Sequence, residues 1–242
     1  MAEQADVETS SEGYARRFAG PVGEWFLGVQ ERTTLELLGA WPGATVVDVG
    51  GGHAQTAPPL ARAGYAVTVV GSEPSCATRL QAHLGSASAP SRPVQFETAD
   101  LLRLPFADRS FDVALSYRLL PHVTRWRELV GELARVARSV VVVDYPTRRS
   151  LNLVAEGLFA VKKGVEGNTR PFTVFEDREI EAAFAAHGFR VTARRPQFFW
   201  PMALHRALGA APFSRALEAA AAGLGLRHLL GSPVILRLER RG

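Results

Sequence analysis

The sequence predicts an α/β protein built on a mostly parallel sheet, and three observations lead there. Short valine-rich runs recur through the first two thirds of the chain. Each is followed by turn or loop residues, and helical stretches lie between them. Strand, helix, strand in repetition buries a parallel sheet between two helical layers, a three-layer sandwich. With 242 residues, 47% of them hydrophobic, the chain is long and apolar enough for one domain with a full core.

Residues 1 to about 12 are polar and acidic and are expected to fray. From Tyr14 to Leu38 apolar residues recur at helical spacing, Trp25, Val29, Leu35 and Leu38 among them. Pro21, flanked by Gly20 and Gly23, divides this stretch into two helices. Strands are expected at Thr45–Val49, Ala66–Gly71, Val94–Thr98, Phe111–Ser116 and Val140–Asp144, with helices over about 55–63, 75–84 and 125–137. "REIEAAFAAHGFRVTARRP" reads as a helix stopped by Gly188 and then a sixth strand. An alanine-rich helical segment near 203–229 leads to a seventh, "SPVILRLER". Residues 145–172 are longer than a tight connection requires and lie where a ligand is covered in such sheets. The expected organisation is a single domain over 1–242. It has an N-terminal helical cap (1–40), a core (41–145), a lid insertion (146–175), and a last part carrying the remaining strands and the substrate side (176–242).

Composition narrows the function. The net charge is only +4, and the basic residues are nearly all arginine, scattered rather than striped, so no nucleic-acid partner is expected. The single cysteine, Cys76, suits a reducing cytoplasm. The opening residues lack the basic and apolar regions of a signal peptide, and no apolar run approaches the roughly 20 residues that span a bilayer. A cytoplasmic monomer or homodimer acting on a small molecule is the expectation. The histidines show no ligand spacing, so no metal is expected.

"VVDVGGGHAQTA", residues 46–57, holds the strongest local signal. Three glycines at a strand end indicate an unusual turn or a close approach to something. Three acids stand at matching places: Asp48 at the end of the first strand, Glu73 just past the second, and Asp100 past the third. Ligands of open parallel sheets bind along that edge.

In these features the chain resembles the class I S-adenosylmethionine-dependent methyltransferases, in particular the UbiE-like small-molecule subgroup. The resemblance covers roughly residues 40 to 145 and more loosely the rest. "DVGGGHA" (48–54) matches the family's acidic glycine loop with Asp48, Gly50 and Gly52 in register, Ala54 standing in place of the last glycine. "LPFADRSFDVALSYRLLPHV" (104–123) and "LARVARSVVVVDYP" (133–146) match the fourth and fifth strand blocks. The resemblance implies a Rossmann-like sheet of about seven strands with the last antiparallel, and S-adenosylmethionine as cofactor. It implies that Asp48, Gly50, Gly51, Gly52, His53, Glu73, Pro74, Asp100, Leu101, Ser116 and Tyr117 form the cofactor site. Glu73 would take both ribose hydroxyls, Asp100 would face the adenine amine, and Asp48 the cationic methionine end, roles that suit acceptor-only carboxylates.

The expected reaction is methyl transfer to a small hydrophobic or aromatic acceptor, with oxygen favoured over carbon or nitrogen as the acceptor atom. His122, in "LLPHV", is the candidate general base. Tyr14, Arg17 and Trp25 in "YARRFAGPVGEWF", with Arg148 and Arg170, are candidate lid or substrate residues. "QFFWPM" (197–202) serves as substrate wall or core. Rival readings are an RNA or protein methyltransferase, a cofactor-binding protein without turnover, and a nicotinamide oxidoreductase. Against the last, Gln55 stands where G-x-G-x-x-G wants its third glycine. Against base methylation, Ser116-Tyr117-Arg118-Leu119 carries no prolines.

Overall fold

A computed structural model describes residues 4–39, 41, 43–86, 92–151 and 172–242. Seven strands form one sheet: β1 (Thr45–Val49), β2 (Ala66–Gly71), β3 (Val94–Thr98), β4 (Phe111–Ser116), β5 (Ala137–Tyr145), β6 (Phe189–Phe198) and β7 (Ser232–Arg240). Their order is β3-β2-β1-β4-β5-β7-β6. Strands β1 to β5 pair in parallel, and β7 runs antiparallel to both of its neighbours, β5 and β6.

Alternation along the central strands divides the core between two faces. Val47, Val49, Ala114, Val141 and Val143 pack on one side against Trp126, Leu129, Val130 and Leu133. Those four are spaced i, i+3, i+4 and i+7 along a helix over Trp126–Val136, which turns one apolar stripe to the sheet. Val46, Val113, Leu115, Val140 and Val142 face the other way, against Leu37, Leu38, Leu60 and Ala61. The strand order reverses between β1 and β4, so a cleft opens at their carboxyl ends.

The N-terminal residues depart from the sequence expectation. Residues 1–3 lie outside the described residues, but those that follow form helix α1 (Ala5–Thr9), then α2 (Glu12–Ala15), then α3 (Gly20–Leu38), with Pro21 in the first turn of α3. Helix α1 is held because Asp6, fully buried, accepts bonds from the loop after β2, a pairing that local sequence does not reveal. Strand β5 also begins three residues before the expected Val140, because Ala137 already pairs with Phe111.

Candidate active site

The three glycines have three separate reasons. Gly50 lies in the left-handed region at φ +77, where side chains are strained. A Cβ on Gly51 would stand 2.3 Å from the Asp48 carboxylate. A Cβ on Gly52 would stand 2.4 Å from Ser10 Oγ and 2.5 Å from the Cys76 carbonyl oxygen. The loop therefore wraps the Asp48 carboxylate on one side and meets the N-terminal segment on the other.

Asp48 is buried, and Thr56 Oγ1 donates to its Oδ2. Burial pushes its carboxyl up to about 6, against the pull of that hydroxyl and of the Arg118 guanidinium. A second strand-end acid, Asp144 at the end of β5, behaves alike. It is buried and likewise pushed up to about 6 by burial, while the Arg118 backbone N–H donates to Oδ1 at 2.6 Å and the guanidinium adds its charge. Arg118, just past β4, thus serves two buried carboxylates from the flanking strands. Its φ of 56 is left-handed, and its guanidinium lies 4.8 Å from the Phe18 ring centroid and 5.8 Å from that of Tyr14.

His53 sits edge-on to Tyr14 and Phe18, with ring centroids 5.7 and 5.6 Å away. Burial, with Arg118 and Arg79 adding to it, holds its imidazole far below the usual range, so it is neutral. The segment "YARRFAGPVGEWF" thus lies over the glycine loop through His53. Glu73 accepts from Gln4 Nε2 at 2.6 Å and from Ser75 Oγ at 3.3 Å. Pro74 is exposed and Leu101 fully buried. Asp100 is exposed and accepts from the Leu102 backbone N–H at 2.9 Å. Ser116 Oγ is bonded to the Val49 carbonyl, and the Tyr117 hydroxyl to that of Thr34, at 2.9 and 2.8 Å.

Beside the glycine cleft, across Arg118, lies a cavity of about 550 Å³. Its wall includes Tyr14, Phe18, Phe26, Phe172, Phe198 and Met202, with His122, Asp144, Arg17 and Arg206 as polar members. His122 ends a short 3₁₀ turn after β4, its ring centroid 5.5 Å from that of Phe172. Of "QFFWPM", Gln197, Phe198, Pro201 and Met202 line the cavity. A more open hollow of about 650 Å³ between Arg127 and His187 has no strand-end residue in its wall.

Several expected residues fall elsewhere. Trp25 packs against Phe26, Phe198 and His205 and faces a different hollow, because its neighbour Phe26 takes the cavity-facing turn of α3. Arg148 is exposed, and Thr147 and Ser150 beside it line the cavity instead. Arg170 lies outside the described residues. Asp144, Arg118 and Arg206 went unread in the sequence, and Phe18 was marked only as one of the aromatics of segment 14–26. Only Asp144 carried a signal, an acid closing an all-valine run, the same pattern that marks Asp48. Among the described residues no group of three or more His, Cys, Asp or Glu is placed to hold a metal, and no helix is long and apolar enough to cross a membrane.

The chain is similar to known proteins. The family model described as a methyltransferase domain matches residues 47–142. Residues 47–142 are thus similar to a methyltransferase domain. The matched stretch runs from within β1 to within β5 and includes Asp48, Gly50, Gly51, Gly52 and Glu73. An uncharacterized methyltransferase of Mycobacterium tuberculosis is 36% identical over 105 residues, 43% of this chain and 39% of that protein. The chain thus matches about two fifths of the length of such relatives. The ubiquinone biosynthesis O-methyltransferase of Rhizobium rhizogenes is 27% identical over 169 residues, 66% of this chain and 65% of its own. Among solved structures, the magnesium protoporphyrin IX methyltransferase of Synechocystis with bound S-adenosylhomocysteine superposes with a TM-score of 0.65 at 18% identity, covering 96% of both chains. A (4+2)-cyclase superposes at 0.61 and 19% identity, over 87% of this chain and 79% of its own. At such identities the likeness establishes the fold alone, and the cyclase illustrates that this fold hosts other chemistry.

Proposed function

We propose that this protein is an S-adenosylmethionine-dependent methyltransferase acting on a small apolar or aromatic acceptor, with a hydroxyl oxygen as the favoured acceptor atom. The observation that carries the reading is the pairing of the Asp48 glycine loop with an aromatic-walled cavity of about 550 Å³ directly across Arg118. A cavity of that size suits a small molecule. The residues present suit the cofactor. Gly50, Gly51 and Gly52 bring bare backbone to the strand end, while Glu73 and Asp100 offer acceptors for ribose hydroxyls and an adenine amine. Asp48 offers a buried negative charge to the cationic methionine end.

When bound, S-adenosylmethionine supplies an electrophilic methyl group on a sulfonium. This chain's part would be alignment of the acceptor and the exclusion of water. Phe18, Phe26, Phe198 and Met202 form the dry wall, and Arg17 and Arg206 at the cavity offer cations to a carboxylate or phenolate on the acceptor. His122 faces the same space and accepts the proton of an acceptor hydroxyl as it is methylated. The ubiquinone-pathway relative named as an O-methyltransferase favours oxygen as acceptor. Tritiated methyl transfer to dihydroxybenzoates and hydroxynaphthoates, with bulk tRNA and casein as comparators, tests the reading. Label in the aromatic acids supports it; label only in tRNA or casein overturns the small-molecule assignment.

A further inference from the structure

The N-terminal segment stands in the cofactor cleft, not over it. Next to Asp48, Gly50 and Gly51 the remaining void is about 10 Å³, whereas a ligand of nucleoside size needs a site of roughly 300 Å³ or more. What fills the cleft is specific. Ala5 is buried within the cluster that holds Val49, Val70, Leu101 and Leu119. Asp6, fully buried, accepts from the Ser72 backbone N–H at 2.8 Å, from Ser72 Oγ at 2.5 Å and from Cys76 Sγ at 3.3 Å. Gln4 Nε2 donates to Glu73 Oε1 at 2.6 Å, putting an amide donor where the ribose hydroxyls are expected. Ser10 closes against Gly52, within the space a Cβ there would take.

We propose that residues 4–10 are an intrasteric plug that competes with S-adenosylmethionine, so that the free protein is closed and the cofactor binds only the fraction with α1 withdrawn. This rests on the reading of Glu73 and the glycine loop as the cofactor cleft. It differs from a cover, which would close over a bound cofactor and gain contacts from it. Here the same carboxylate, Glu73, is claimed by Gln4 and by the ribose, and the two states exclude each other. Apparent affinity is then the intrinsic affinity reduced by the open fraction. Anything that draws α1 away, such as a partner that binds the segment, would switch the enzyme on.

Calorimetric titration of S-adenosylhomocysteine into wild type and Asp6→Ala tests this, alongside Gln4→Ala, which removes one bond and leaves the burial of Asp6 intact. A hydrogen bond to a charged acceptor lost from the closed state multiplies the open fraction about tenfold. Asp6→Ala should therefore bind at least about tenfold tighter than wild type, with Gln4→Ala between them. Amide exchange over residues 5–10 of the wild type should speed up when the ligand is added. Equal or weaker affinity in both variants, or slower exchange over 5–10 with ligand, overturns the plug while leaving the methyltransferase reading intact. Failure of wild type and both variants to bind overturns both.

Discussion

Lowering the pH through 6 should weaken S-adenosylmethionine binding by an amount that Asp48 sets. Burial raises the Asp48 carboxyl to about 6, so below that pH the free protein holds a proton there. A cationic ligand end favours the ionised form, and binding must then expel the proton. Each pH unit below 6 therefore costs about tenfold in affinity per proton expelled, and the plateau is reached by about pH 7. At pH 5 the dissociation constant should be about 10 times its plateau value from Asp48 alone. Asp144 is raised to about 6 as well and also faces Arg118, so its proton adds to that of Asp48 and the slope lies between one and two protons. Asp48→Asn should bind more weakly at pH 7.5 and lose at least one proton's worth of slope. Calorimetry from pH 4.5 to 7.5 on both proteins reads this directly. A flat wild-type curve, or a variant that keeps the full wild-type slope, would refute the placing of Asp48 against the cofactor's charge.

Asp48→Asn should also change stability, with the sign fixed by the raised pKa. Between about pH 4 and 6 the folded state binds more protons than the unfolded chain, so stability falls as pH rises through that window and stays lower above it. The variant removes this cost: in urea it should gain up to about 3 kcal/mol at pH 7.5 and almost nothing at pH 4. An equal gain at both pH values would sink the explanation. His122→Ala should lower kcat roughly 10²–10⁴-fold and erase the rate inflection of an imidazole if a hydroxyl is methylated, with cofactor affinity unchanged. A fall in affinity with the pH profile intact would instead make His122 a wall residue.

Much of the sheet was legible, because each buried parallel strand is a continuous valine-rich run bounded by turn residues. The boundaries of β1 to β4 agree with the expectation. Helices end where glycine or strand pairing stops them, and the start of β5 was misjudged because Ala137 and Arg138 have no strand signature. The positions of Asp48, Glu73 and Asp100, at or just past strand ends, were legible from the apolar runs before them. Helix α1 was not, since a short polar segment reads as fraying unless its partners are known. Those of Asp6 lie 66 to 70 residues away. Arg118 was equally hidden, its role resting on two carboxylates brought together by the strand order. For Trp25 and Phe26, helical spacing cannot say which of two neighbouring aromatics meets the cavity.

The most direct test of the central claim is titration of S-adenosylmethionine, and separately of NADH, into wild type and Glu73→Ala. The variant loses two hydrogen bonds between the ribose and a carboxylate, while the closed state loses one from Gln4. The net effect is about one such bond, or roughly tenfold. One S-adenosylmethionine should bind per chain, at least about tenfold more weakly in a folded Glu73→Ala protein, and NADH should not bind. Wild type that binds NADH but not S-adenosylmethionine, or a folded Glu73→Ala protein with wild-type affinity, would contradict the central claim.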